Sequence, residues 1–186
     1  MEGFIRTMKT TLSFVTPAEL ETESLVAIAL DQSEKDAAST DQSASGKRKK
    51  PQLNLATGDG AVLTAAADLL ASGELTGEPF ESNLLHKPAG LKAKRLLLIS
   101  GGAAKKFTSY DLRRIGGAVV RTLKARGIRS FAFIAPPSIP AEEAVKAIVE
   151  GALVGNFDPD YYRSDRKDQK IEELTVVVSG NADDTA

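Results

Sequence analysis

The chain has 186 residues, of which 42% are hydrophobic and 26% charged, a composition typical of a soluble globular domain. Its 24 lysines and arginines nearly balance 25 aspartates and glutamates, so the net charge of -1 gives no general attraction to nucleic acid or to an acidic membrane. Because the sequence contains no cysteine, disulfides, thiolate metal sites and thiol nucleophiles are excluded.

The sequence also carries no run of about 18 apolar residues, the length that a membrane-spanning helix needs, and its N-terminus lacks the apolar core of a signal peptide. We therefore expect a cytoplasmic protein without a membrane partner. The expected organisation is an N-terminal lead at residues 1–9, one domain at residues 10–179 and a disordered tail at residues 180–186.

The first predicted strand covers residues 10–15, where β-branched and aromatic residues precede Pro17. Residues 25–30 form an unbroken apolar run, typical of a buried strand.

Residues 31–50 contain almost no large apolar side chains and are predicted to be a mobile loop. That loop ends in the basic run KRKK at residues 47–50, for which we favour a solvated loop end over a nucleic-acid contact, because no aromatic residues interleave with it. Nucleic acid is therefore not expected as a partner.

A helix is predicted at residues 61–71, which are rich in strong helix formers. Thr57 and Asp59 are its candidate caps, and Gly73 is its stop signal. A third strand is predicted at residues 80–85. The chain's one histidine, His86, follows it, and we interpret it as a strand-end residue because the sequence offers no partner for a catalytic or zinc-binding role.

The centre of the chain has the pattern of a βαβ unit. An apolar strand at residues 96–99 is followed by a helix with Ser109 as its predicted N-cap and Gly127 at its end, and then by a short apolar strand at residues 131–134. Such units have parallel strands. Glycines at residues 116–117 lie inside the helical pattern, where they favour close packing. The apolar stripe of this helix is Leu112, Ile115, Val119 and Leu123.

The last two predicted elements are a helix and a strand. The helix covers residues 141–155, begins at Pro140 or Ala141 and has two glutamates in its first turn, at the positive end of the helix dipole. The strand covers residues 174–178. The predicted buried stripe of the helix is Val145, Ile148, Ala152 and Leu153.

A family resemblance rests on the order of several segments. Residues 147–167, AIVEGALVGNFDPDYYRSDRK, and residues 171–178, IEELTVVV, resemble the end of the N-terminal domain of the leucyl aminopeptidase, or cytosol aminopeptidase, family. Upstream, LLH at residues 84–86, LKAKRLLLISGG at residues 91–102 and KKFTSYDLRRIGGAVVRTLKARG at residues 105–127 keep the family's order. The resemblance covers roughly residues 10–178, and no single residue in it is catalytic.

This resemblance implies a macro-domain-like α/β fold, three layers in the order α/β/α around a mixed, largely parallel sheet. It also implies a non-catalytic role, because in the family the N-terminal domain helps assemble a hexamer and shapes access to a C-terminal catalytic domain that holds two zinc or manganese ions. The metal-binding motifs V-G-K-G-x-x-F-D-S-G-G and N-T-D-A-E-G-R-L do not occur here. We therefore expect no catalytic residue, metal ligand or cofactor in this chain, and a C-terminal aminopeptidase domain and further copies as its partners.

The alternative function is a stand-alone module that binds a nucleotide such as ADP-ribose, since macro domains elsewhere bind this ligand. Its phosphate would contact backbone amides at Gly58 and Gly60, before the first helix, and at Gly101 and Gly102, after the central strand. The Asn-Ala-Ala-Asn segment and the multi-glycine loop of binding macro domains are not visible, and a lone Gly-x-Gly is more often an ordinary turn. The assembly role is therefore preferred.

Overall fold

The computed structural model describes residues 8–33, 51–157 and 170–179. Most of the predicted N-terminal lead, the basic run and the tail lie outside these residues, as does most of the predicted mobile loop; of the lead, Met8 and Lys9 are described, and Lys9 already belongs to the first strand. The strands are β1 (Lys9–Ser13), β2 (Ser24–Asp31), β3 (Leu53–Leu55), β4 (Ser82–His86), β5 (Arg95–Ala103), β6 (Ser130–Ile134) and β7 (Glu173–Val177). The α-helices are α1 (Gly60–Ser72), α2 (Ser109–Ala125) and α3 (Ala141–Asn156).

All these strands join one seven-stranded sheet in the described part of the chain, with the order β1-β7-β6-β2-β5-β4 and with β3 paired to β2. The strands β1, β7, β6, β2 and β5 run parallel, whereas β3 and β4 are antiparallel to their neighbours. The predicted mixed, largely parallel sheet is thus confirmed. So is the βαβ unit β5–α2–β6, whose two strands have β2 between them.

Strand β2 lies at the centre because its residues are buried on both faces of the sheet. Val26, Ile28 and Leu30 point to one face, where they pack with the apolar side chains of α2 and α3. Leu25 and the two alanines that alternate with these residues point to the other face, where α1 packs. This arrangement gives the three-layer α/β/α architecture that the sequence predicts.

Helices α2 and α3 approach each other through glycines. A Cβ atom built at Gly151 would overlap the carbonyl oxygen of Arg113, and one built at Gly155 would lie 2.7 Å from the carbonyl oxygen of Gly117. A Cβ atom at Gly116 would also meet backbone of α3, at 2.9 Å. The two helices therefore touch backbone to backbone, which confirms the prediction that the glycines at residues 116–117 permit close packing.

The predicted ends of α1 and α2 agree with the structure except at one N-cap. The side chain of Thr108 accepts a hydrogen bond from the N–H of Asp111, and the carboxylate of Asp111 accepts one from the N–H of Thr108, which is a capping box. The predicted cap Ser109 is therefore wrong by one residue, because it already belongs to the first turn. For α1, Asp59 is the cap and Gly73, at φ 77°, ends the helix as predicted.

The prediction for residues 31–50 is wrong at its first residue. Asp31 is the last residue of β2, is only 3% exposed and pairs with Leu53 of β3. Its Oδ1 accepts hydrogen bonds from the N–H groups of Ser33 and Gln52 at 2.9 and 3.1 Å. The carboxylate thus holds together the two chain segments that flank residues 34–50.

Helix α3 also differs from its prediction, because part of its apolar stripe faces outwards. Ile148 and Ala152 are buried as predicted, and Val145 is half-buried. Leu153, however, is 50% exposed. The helix turns its glycines towards α2 instead, and this rotates Leu153 away from the core.

The N-terminal end of β2 is tied to β6 through Glu23. The carboxylate of Glu23 accepts hydrogen bonds from the N–H groups of Arg129, at 2.8 Å, and Ser130, at 3.3 Å. The bond from Arg129 contributes most to stabilising the charged form, and so the pKa of the Glu23 carboxyl is lowered.

No helix in the described ranges is long and apolar enough to cross a membrane.

Candidate ligand cleft at the end of the central strand

A cleft of about 270 Å³ lies at the C-terminal end of β5, beside the first turns of α2. Its lining includes Gly101 and Gly102, two of the residues that the nucleotide-binding alternative predicts, together with Phe80, Lys106 and Arg114. The carboxyl ends of parallel strands are the usual place for ligands in open α/β sheets. This cleft is therefore the first candidate for a functional site.

The two glycines of the cleft have a packing explanation. A Cβ atom at Gly101 would lie 2.7 Å from Leu30 Cδ2 and 2.9 Å from Phe107 Cε2. Gly102 has φ +81°, and a Cβ atom there would lie 3.0 Å from Pro79 Cγ. Since protein side chains already occupy the space beside both residues, the glycines permit the chain to pass through a tight place and do not by themselves indicate a phosphate.

Arg114 is one of two basic residues that line the cleft, the other being Lys106. Its guanidinium carbon lies 4.8 Å from the centre of the Phe80 ring and 5.9 Å from that of Tyr110, within range of a cation–π contact. Arg114 Nη1 lies 3.9 Å from Asp111 Oδ1. Phe80 itself has φ 71°, a conformation that is rare for a bulky residue and often marks a functional site. This cation would attract an anion, but the neighbouring carboxylate weakens that attraction.

The other two predicted residues, Gly58 and Gly60, do not lie in this cleft. Gly58 precedes the N-cap of α1 and Gly60 is the first residue of that helix, which packs on the opposite face of the sheet. There Asp59 Oδ1 accepts hydrogen bonds from the N–H groups of Ala61 and Val62 at 2.9 and 3.0 Å. The amides that a phosphate would use are thus bonded to the protein's own carboxylate, and the four glycines do not form one site.

His86 is the last residue of β4, as the sequence indicates, and its backbone pairs with that of Arg95. It lines a shallow, polar cleft with Asn83 and Arg126. Among the residues described, no three histidine, aspartate or glutamate side chains are close enough to hold a metal ion. We therefore assign no metal site to the described residues.

Comparison with known proteins gives a family. The model of the cytosol aminopeptidase family, N-terminal domain, matches residues 44–166. A probable cytosol aminopeptidase of Koribacter versatilis is 45% identical in an alignment 191 residues long, gaps included. The alignment covers 94% of this chain and 35% of that protein. Another, from Acidobacterium capsulatum, is 39% identical over 96% of this chain and 35% of its own length.

Solved structures support the fold. A mutant of tomato leucine aminopeptidase matches 98% of this chain and 35% of its own, with a TM-score of 0.65 and 18% identity. A Trypanosoma brucei macrodomain matches 97% of this chain and 65% of its own, with a TM-score of 0.59 and 14% identity. At these identities the similarity shows the fold alone, which is the macro-domain-like α/β fold that the sequence predicts.

The chain spans 35% of the length of each of the two relatives named above. The family model covers most of the chain, and the identity to the first relative extends over nearly all of it. The chain therefore belongs to the cytosol aminopeptidase family and corresponds to its N-terminal domain.

Proposed function

We propose that this chain is the non-catalytic N-terminal domain of a leucyl-aminopeptidase-type metallopeptidase, which helps to assemble the oligomer and shapes access to the active site of a C-terminal domain. One observation supports this most directly: 94% of the chain aligns with a probable cytosol aminopeptidase but accounts for only 35% of it. Most of such a protein lies outside the matched region, and this is where its catalytic groups are expected.

The partners in this proposal are a C-terminal aminopeptidase domain and further copies of the same polypeptide, arranged as a hexamer. Zinc or manganese would be bound by the catalytic domain, since the described residues of this chain have no suitable ligand cluster. The proposed compartment is the cytoplasm, because the relatives are named cytosol aminopeptidases.

The test compares this 186-residue chain with the polypeptide encoded by the whole reading frame that contains it. With leucine p-nitroanilide and added manganese or zinc, the longer polypeptide is expected to turn over substrate, to lose activity on chelation and to regain it with metal. The 186-residue chain is expected to show none, because a two-metal hydrolase needs several carboxylates around ions about 3.5–4 Å apart.

Circular dichroism of the 186-residue chain is the control that it is folded while inactive. Metal-dependent turnover that co-purifies with this chain would contradict the non-catalytic role. Sedimentation of the longer polypeptide tests the assembly role, and full activity as a monomer would contradict that part.

The alternative proposal, a stand-alone nucleotide-binding module, has its support in the macro-domain-like fold. We expect calorimetry with ADP-ribose to show no binding tighter than about millimolar, a dissociation constant equivalent to roughly 4 kcal/mol. Asp59 already occupies the first amides of α1, and the N–H of Gly102 already donates to Ser100 Oγ. A phosphate beside Asp59 would also be repelled by about 1 kcal/mol at about 4 Å in water.

A saturable micromolar isotherm with ADP-ribose, lost in the Gly60→Glu variant, would make nucleotide binding the preferred function of this chain. The matched control is Ala67→Glu, which adds the same charge at an exposed position farther along α1. Equal loss of binding in both variants would indicate a general effect of charge and not a site at the turn.

A further inference from the structure

Strand β1 is the outermost strand on one side of the sheet, and within the described ranges no strand pairs with its outer edge. On its inner edge, the N–H of Lys9 donates to the carbonyl of Glu172 at 2.8 Å, and the carbonyl of Ser13 accepts from the N–H of Val178 at 3.0 Å. Because backbone groups in a strand point alternately to its two edges, Thr10 and Leu12 direct theirs to the open edge. Among the described residues, this edge is therefore open to a further strand or loop.

The end of this strand is also apolar. Leu12, Phe14 and Val15 are 45%, 38% and 47% exposed. The register partner of Leu12 is Val176, a fully buried residue in the core beneath α2 and α3, so Leu12 continues that core beyond the cover of the helices. We call the outer edge of β1, together with these three exposed side chains, the β1 surface.

Natural proteins protect such an edge with charges, prolines or a covering segment, because exposed edges promote aggregation. On β1 the one charged residue is Lys9, at the far end of the strand, and it is paired with Glu173 at 2.8 Å. The residues next to the apolar end are uncharged. The β1 surface is therefore more consistent with a buried contact than with permanent exposure to water.

The position at which the chain leaves the sheet indicates what covers this surface. The N–H of Val178 donates to the carbonyl of Ser13, so Val178 and Ser179, the last residues that the structure describes, lie beside the β1 surface. Domains within one chain typically bury about 600–1,500 Å² against each other. In the relatives, most of the polypeptide lies outside the matched N-terminal region.

A second group of exposed apolar residues, at the end of α3, is less suitably placed. Leu153, Val154 and Phe157 are 50%, 65% and 73% exposed. The adjacent Asn156 is hydrogen-bonded through its side chain to Ile171, just before the start of β7. This group therefore lies near the opposite end of β7 from the exit of the chain.

We propose that the β1 surface is the contact between this domain and the C-terminal aminopeptidase domain of the same polypeptide, an inference that rests on the proposed function. The partner surface would present apolar side chains to Leu12, Phe14 and Val15. It would also supply hydrogen-bond groups to the backbone of Thr10 and Leu12, as an added strand or loop does at a sheet edge.

Hydrogen exchange of the 186-residue chain and of the polypeptide from the whole reading frame tests this contact. The amides of Thr10 and Leu12 are expected to exchange at least about tenfold more slowly in the longer polypeptide, because they gain partners there. Equal exchange in both would overturn the inference. Aminopeptidase activity of the longer polypeptide would then still support the proposed function.

A pair of matched variants gives a second measurement. Leu12→Glu in the longer polypeptide is expected to raise the rate of tryptic cleavage between the two domains by about tenfold, since it places a charge in the contact. Leu63→Glu, at a residue 40% exposed on α1, is expected to leave that rate unchanged. Equal rates for the two variants would overturn the inference.

Two further outcomes are distinguishable. Protection of Thr10 and Leu12 that rises with the concentration of the 186-residue chain would show that a second copy pairs with the edge, and this would overturn the inference. A longer polypeptide without metal-dependent aminopeptidase activity would contradict the proposed function itself, and the inference with it.

Discussion

Replacing Gly151 with alanine is expected to destabilise the domain by about 3 kcal/mol, near the upper end of the usual range for overpacking. Alanine is the better helix former by about 1 kcal/mol, so the sign depends on the contact between the helices. The added Cβ would overlap the backbone of α2 at Arg113. Because backbone cannot swing aside as a flexible side chain can, α2 and α3 would have to separate, and their buried apolar contacts would loosen.

Urea denaturation followed by circular dichroism measures this change, and the melting temperature should fall by roughly 6–12 °C for a chain of this size. The matched control is Gly58→Ala, since a Cβ there meets no atom within 4 Å. That variant is expected to change stability by less than about 0.5 kcal/mol. Wild-type stability in Gly151→Ala would contradict the backbone-to-backbone packing of the two helices.

The central strands were predictable because they are buried on both faces. A strand of this kind is a continuous apolar run, and residues 25–30 and 96–99 show such runs. The three-residue strand β3 was not predicted, since Leu53–Leu55 is too short to show a period and is defined by its pairing with β2. The sequence also could not show that β1 lies at an edge, because strand order depends on contacts between distant segments.

The candidate cleft was predictable only in part. The glycine pair at residues 101–102 marks the end of the central strand, and the structure places both residues in the cleft. The contact of Arg114 with Phe80 joins residues that are distant in sequence, and no local pattern indicates the positive φ of Phe80. The role of the segment around Gly58 was predictable from the sequence. Aspartate is a preferred N-cap, and Asp59, the residue after Gly58, caps α1.

Replacing Asp31 with alanine is expected to destabilise the domain by about 2 kcal/mol, because the N–H groups of Ser33 and Gln52 would lose a charged acceptor. Asp31 is 3% exposed, and its Oδ1 accepts from Ser33 at 2.9 Å and from Gln52 at 3.1 Å. Its backbone also pairs with β3, so the side chain and the main chain hold the same junction. The loss should therefore lower the melting temperature without changing the fold of the sheet.

Asparagine at residue 31 separates the hydrogen bonds from the charge. Asp31→Asn keeps an acceptor oxygen at the same place, and it is expected to recover at least half of the stability that Asp31→Ala loses in urea denaturation. Asp68→Ala, on the exposed surface of α1, is the control for removal of a carboxylate and should change stability by less than about 0.5 kcal/mol. If asparagine were as destabilising as alanine, the Oδ1 acceptor alone would not account for the stabilisation of this junction, and the negative charge or the second carboxylate oxygen would be required.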